Sequence, residues 1–104
     1  MKTEASYDGG TLCLRLSGEL DHHAAKETMA AIEREIDRRL PKRCVLELSG
    51  LTFMDSSGIA VMLRTYRRMN ELGGTVIAAA IQPQPMRVVS AAGIGRIISV
   101  SAAG

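Results

Sequence analysis

Cys44-Val45-Leu46-Glu47-Leu48, then Phe53-Met54-Asp55-Ser56-Ser57-Gly58, then Gly73-Gly74-Thr75-Val76-Ile77-Ala78-Ala79-Ala80: these three pieces of one stretch decide the fold. The first alternates at period two, as a half-buried strand does. A short connection, Ser49 to Asp55, leads to residues that favour helix starts. Ile59, Met62, Leu63, Tyr66 and Met69 then recur at spacings of three and four, with Arg64, Arg67 and Arg68 on the opposite side, so the period changes to that of an amphipathic helix. Gly73-Gly74 is a glycine stop, and Thr75 to Ala80 is a further core strand. Strand, helix, strand at this spacing requires a crossover, and a crossover implies parallel strands with the helix packed on the sheet.

On the N-terminal side, Asp8-Gly9-Gly10 is a turn signal between two strand candidates and predicts a hairpin. Its second arm, Leu12 to Leu16, places leucines on one face, and Gly18 is expected to end it. From His22 to Leu40 a helix is predicted, with Met29, Ile32, Ile36 and Leu40 inward and Lys26, Glu27, Arg34, Glu35 and Arg38 mainly outward. Pro41 stops it. On the C-terminal side, Gln82-Pro83-Gln84-Pro85 is expected as a loop, Met86 to Ala92 as a short helix ending at Gly93, and Ile97 to Val100 as a last strand. The fold class is α/β: a mixed β-sheet, built from an N-terminal hairpin and then alternating helices and strands, with the helices packed on it. One domain, residues 1–104, accounts for the whole chain.

Composition removes several functions. Thirteen basic and eleven acidic side chains leave a formal charge of +2, too balanced for nucleic acid as the main partner. Tyr7, Phe53 and Tyr66 are the only aromatics beside the histidines, so no base-stacking set exists. The polar Met1-Lys2-Thr3-Glu4 start has no signal-peptide character. No apolar run approaches the roughly 20 residues of a membrane helix. Cys13 and Cys44 lie in strand-like segments without metal-ligand spacing and are expected as two reduced core thiols, which points to the cytoplasm. Gly93-Ile94-Gly95 lacks the last glycine of a dinucleotide fingerprint, and no phosphate loop is present. No cofactor is therefore expected, and any kinase activity must come from another protein.

The chemistry concentrates in two loops that follow strands and precede helices, Gly18-Glu19-Leu20-Asp21-His22-His23 and Phe53-Met54-Asp55-Ser56-Ser57-Gly58. Both are expected at the carboxyl edge of the sheet. Asp55, Ser56 and Ser57 are all competent helix caps, so one of them caps and the others are exposed polar residues, or one hydroxyl accepts a phosphoryl group. A helix N-terminus favours an anion. The added charge would alter docking at that edge without unfolding the domain, and Asp21 and Asp55 would deepen the negative field. Asp21, His22, His23 and Ser57 also contain the atoms of a hydrolase triad, but there is no G-x-S-x-G elbow and little room for a substrate pocket.

The segments Leu14-Arg15-Leu16-Ser17-Gly18-Glu19-Leu20-Asp21-His22-His23, Phe53 to Val61, Gly73-Gly74 and Ala80-Ile81-Gln82-Pro83 together resemble the anti-sigma factor antagonists, single-domain members of the STAS family. The resemblance covers nearly the whole chain in order and spacing. It implies that the unphosphorylated protein binds an anti-sigma factor that is also a serine kinase, so that the sigma factor is released. The kinase then phosphorylates the antagonist, and a serine phosphatase restores it. On the matching motif the acceptor is Ser57, with Ser56 shaping the loop. Asp21, His22, Asp55, Ser56, Ser57 and Gly58 form the partner-binding edge. A monomer in the cytoplasm, without nucleic acid or membrane contact, is implied, and not an enzyme. The alternative within the family is a STAS scaffold or transport-associated domain that is never phosphorylated. Family members usually carry a final amphipathic helix, and Ser101-Ala102-Ala103-Gly104 is too short for one, so that helix is expected to be short or absent.

Overall fold

Asp8 pairs directly with Thr11, so Gly9 and Gly10 alone reverse the chain. Their φ values of 56° and 84° are both positive, as a two-residue hairpin turn matching strand twist demands. This hairpin joins β1 (Lys2–Asp8) to β2 (Thr11–Leu20), and the rest of the chain alternates. In a computed structural model describing all 104 residues, α1 (His22–Arg39), β3 (Arg43–Met54), α2 (Ser56–Glu71), β4 (Thr75–Ile81), α3 (Pro83–Ala91), a 3-10 turn (Ile94–Arg96) and β5 (Ser99–Ala102) follow. The sheet order is β1-β2-β3-β4-β5. β1 is antiparallel to β2 and every later neighbour is parallel, so the sheet is mixed, as the patterning requires.

The core lies between one face of this sheet and the helices. Leu12, Leu14 and Leu16 of β2, Cys44, Leu46 and Leu48 of β3, and Val76 and Ala78 of β4 are buried with Met29, Ile32 and Ile36 of α1 and Val61, Met62 and Met69 of α2. Each fully buried Leu or Ile contributes roughly 1.5–3 kcal/mol by leaving water. The helices also meet through Arg64–Glu33 at 3.2 Å and Arg68–Asp37 at 2.8 Å. These surface pairs are worth roughly 0–1 kcal/mol each, so they align α1 with α2 while burial holds them. On the second face, Cys13, Val45, Glu47, Ile77 and Ala79 are only half-buried and Arg15 is exposed.

The structure corrects several boundaries. Gly18 does not end β2: it sits at φ 106° in a bulge, and pairing with β3 resumes to Leu20. Ser49 to Met54 is strand rather than connection, because β2 supplies partners as far as Leu20 opposite Met54. α3 begins at Pro83, and the last strand is Ser99–Ala102 after a 3-10 turn. Leu40 is not a core residue: it is the left-handed C-cap of α1 and is 60% exposed. In α2 the most buried line is Gly58, Val61, Met62, Thr65 and Met69, while Ile59, Leu63 and Tyr66 flank it half-buried. The Thr65 hydroxyl is spent within the helix, donating to the Val61 carbonyl at 2.8 Å. Of the cysteines, only Cys44 is in the core. Its register neighbour is Leu12, whereas Cys13 pairs with Val45 and faces the other side of the sheet. Desolvation, helped by the nearby Cys13, pushes the Cys44 thiol up to about 12, so it stays a protonated packing group.

Candidate functional site

β2 and β3 end level with each other, Leu20 beside Met54. The Asp55 N–H donates to the Leu20 carbonyl at 3.4 Å. The two loops singled out from the sequence are therefore neighbours on one edge, and each has an aspartate at the same step. Asp21 caps α1 in extended backbone, and its Oδ1 accepts from the N–H groups of His23 at 3.0 Å and Ala24 at 3.1 Å. Asp55 caps α2 in the same way, and its Oδ1 accepts from the Ser57 N–H at 2.8 Å. Satisfying otherwise orphaned N–H groups is worth about 1 kcal/mol per cap.

Because Asp55 takes the capping role, the serine hydroxyls are spare. Neither Ser56 nor Ser57 Oγ enters a hydrogen bond within the protein. Ser56 is exposed and Ser57 half-buried at the second position of the helix. Gly58 is buried. A Cβ there would overlap Cγ of Met54 and lie 3.3 Å from Leu20 Cδ2, so glycine lets the start of α2 press onto the ends of both strands. Gly58 shapes the edge and exposes little of itself. His22 and His23 are exposed, with ring centroids 5.7 Å apart in an edge-on arrangement. Phe53, 38% exposed, flanks the serine loop.

The triad atoms do not form a triad. The Asp21 carboxylate is occupied by backbone amides, and no imidazole is hydrogen-bonded to Ser57. No group of three or more His, Cys, Asp or Glu side chains is placed to hold a metal ion. No helix is long and apolar enough to cross a membrane.

Gln84, expected in a loop and not among the expected site residues, lies in the first turn of α3, and its side-chain amide pairs with the backbone of Met54: Oε1 accepts from the Met54 N–H at 2.9 Å and Nε2 donates to the Met54 carbonyl at 3.0 Å. Gln82 Nε2 donates to the Ser49 carbonyl at 3.0 Å. Glutamines alternating with prolines directly after a core strand were the available signal.

Residues 2–103 match the STAS domain. The chain belongs to the STAS domain family. Over 100 residues it is 35% identical to the anti-sigma F factor antagonist of Paenibacillus polymyxa, covering 96% of this chain and 86% of that protein. Its structure matches that of the anti-sigma factor antagonist SpoIIAA in its unphosphorylated form with a TM-score of 0.81 at 28% identity, over 95% of this chain and 87% of that one. The phosphorylated form of SpoIIAA, the Bacillus cell fate determinant, matches with a TM-score of 0.72 at 28% identity, over 95% and 90%. Sequence and fold place this STAS domain with the anti-sigma factor antagonists. The carboxyl edge of β2 and β3, with its two aspartate-capped helix starts, is the edge on which every site residue expected from the sequence comes together.

Proposed function

We propose that this STAS domain is a phosphorylation-controlled binding module: unphosphorylated, it docks on an anti-sigma factor serine kinase and frees the sigma factor, and phosphorylation of Ser57 ends the docking. The observation that carries this reading is the spare Ser57 hydroxyl, half-buried at a helix start whose cap is already supplied by Asp55. That SpoIIAA has been solved in unphosphorylated and phosphorylated forms with this fold supports it. Asp21, His22, Asp55 and Ser56 form the surface around the acceptor, and Gly58 sets its height above the sheet. The chain acts by binding rather than catalysis, as a monomer in the cytoplasm, and a serine phosphatase resets it.

Magnitudes explain why a phosphate there acts on the partner and not on the fold. The group adds roughly −1.5 to −2 charges. A helix N-terminus returns about 0.3–1 kcal/mol, up to ~2 when partly buried, and the Asp55 carboxylate opposes it. The balance is small beside a domain stability of about 5–15 kcal/mol. Where an acidic group of the docked partner faces Ser57, the added like charge costs several kcal/mol. The test is a titration of purified chain against the anti-sigma factor kinase of the same organism. Ser57→Asp should weaken binding by about tenfold or more with an unaltered circular dichroism spectrum. Unchanged affinity would return the unphosphorylated-scaffold reading.

A further inference from the structure

β3 is longer than its neighbour on the β4 side. Backbone pairing between them stops at Glu47 opposite Ala79. Ala80, at φ 58°, a conformation uncommon for a residue with a Cβ, sits in an irregularity of β4 beyond which Ile81 pairs only with Ala102 of β5, and α3 starts three residues after Ala80. The last part of β3, from Ser49 to Met54, is thus left without a strand on that side. Side-chain amides take its place: Gln82 at Ser49, and Gln84 at both main-chain groups of Met54.

The fit at Met54 is specific. The N–H and C=O of one residue in a parallel strand point to the same side, so a single amide with one acceptor and one donor matches them as a neighbouring strand would. Gln84 also precedes Pro85, which disfavours helical backbone at that position. Its helical conformation there is supported from outside the helix, and the two bonds to Met54 are such a support. Met54 is the residue immediately before the Asp55 cap, and its side chain is the surface on which Gly58 rests. Fixing Met54 fixes both the cap and the first turn of α2.

We propose that Gln84 is the positioning residue of the serine loop: its amide clamps the end of β3, and this holds the Ser57 hydroxyl at the height and orientation a kinase must meet. The inference rests on the phosphorylation reading of Ser57 and adds to it a residue on a different element, 27 positions away in sequence. Gln84 does not touch the acceptor; it acts through Met54. Gln82, which binds five residues upstream of Met54, is the internal control.

The experiment uses the full chain as Gln84→Ala, Gln84→Glu and Gln82→Ala, with amide hydrogen exchange and steady-state phosphorylation by the anti-sigma factor kinase. In Gln84→Ala the Met54 amide should exchange roughly tenfold faster, while Leu14 and Leu46 exchange as before. The kcat for Ser57 should fall by about ten- to a hundredfold, because a misplaced acceptor costs the chemical step, with KM within about twofold. Gln84→Glu keeps the acceptor but presents a second oxygen to the Met54 carbonyl. It should behave like Gln84→Ala at neutral pH and regain Met54 protection as the acid protonates and becomes a donor. Gln82→Ala should leave kcat unchanged. Three results would each overturn the clamp: Met54 exchange unchanged in Gln84→Ala, protection lost uniformly across the core, or kcat unchanged with Met54 unprotected. Absence of phosphate on Ser57 in the unaltered chain would overturn the phosphorylation reading instead, and Met54 exchange would then decide the clamp alone.

Discussion

The two helix starts on the carboxyl edge are built on one plan and differ in what they carry. Each follows a buried strand end, Leu20 or Met54, and each is capped by an aspartate in extended backbone. At the next two positions α1 has His22 and His23, where α2 has Ser56 and Ser57. At the third, α1 has a half-buried Ala24 and α2 has the buried Gly58. The histidine loop borders an open groove of about 680 Å³ that runs along α1 past Glu27 and Arg34. The serine loop is pressed onto Met54 and braced by Gln84. A common frame thus presents one helix start beside an open groove and one braced against the end of β3, and the hydroxyl proposed as the acceptor, Ser57, is on the braced one. Braced placement is what the proposed acceptor role asks of Ser57, since a misplaced acceptor costs the chemical step.

The glycine–alanine difference gives the largest expected effect. Gly58→Ala forces a Cβ into Met54 and should destabilise the domain by about 1–3 kcal/mol, as overpacking does. Ala24→Gly, the reciprocal change, removes a methyl from a half-buried site and should cost no more than about 1 kcal/mol. Urea denaturation of both variants reads this, and equal losses would mean that the two helix starts press on the sheet alike. The caps come next. Asp21→Ala and Asp55→Ala should each cost about 1 kcal/mol, with the former larger because Asp21 holds two N–H groups and Asp55 one. The reverse order would show that the serine loop depends on its cap more than on its packing.

The smallest effect lies away from both loops and sets the background. On the second sheet face, hydrogen bonding from Ser49, and further from Arg15, holds the Glu47 carboxyl below its usual range. The Arg15 Nε–Glu47 Oε2 distance is 2.7 Å. A carboxyl with a lowered folded-state pKa adds stability that is present at neutral pH and lost only as pH falls through that lowered value. Stability from this pair should therefore be flat between pH 7 and about 5 and decline below about 4. Arg15→Ala should remove part of that decline, roughly 0.2–1 kcal/mol at this exposed position, in thermal melts across the acid range.

Periodicity made most of the frame legible. Leucines at every second position of β2, the three-four spacing in α1, and the Gly9-Gly10 and Gly73-Gly74 signals are local, and each element formed where they place it. The strand ends were not legible, because they depend on partners. Gly18 has the look of a terminator, yet β3 lies alongside to continue the ladder past its bulge. Ser49-Gly50 has the look of a turn, yet Leu51 and Met54 just beyond it are buried in a continuing strand. Two prolines disguised the start of α3 as a loop. At the site, the serines and aspartates stood out by residue type. Which of Asp55, Ser56 and Ser57 caps, and that Gln84 reaches Met54 from 30 residues away, follow from register and could not be read from spacing.

The most direct measurement is a phosphate map with a parallel melt. The chain is incubated with the anti-sigma factor kinase and ATP, digested and sequenced by mass spectrometry, while the intact product is followed by circular dichroism. A single phosphate on Ser57, none on Ser56, and a melting temperature within about 4–8 °C of the unmodified chain, the equivalent of about 1 kcal/mol for a domain of this size, is the predicted result. Phosphate confined to another residue, or a modified chain that has lost its fold, would contradict the account.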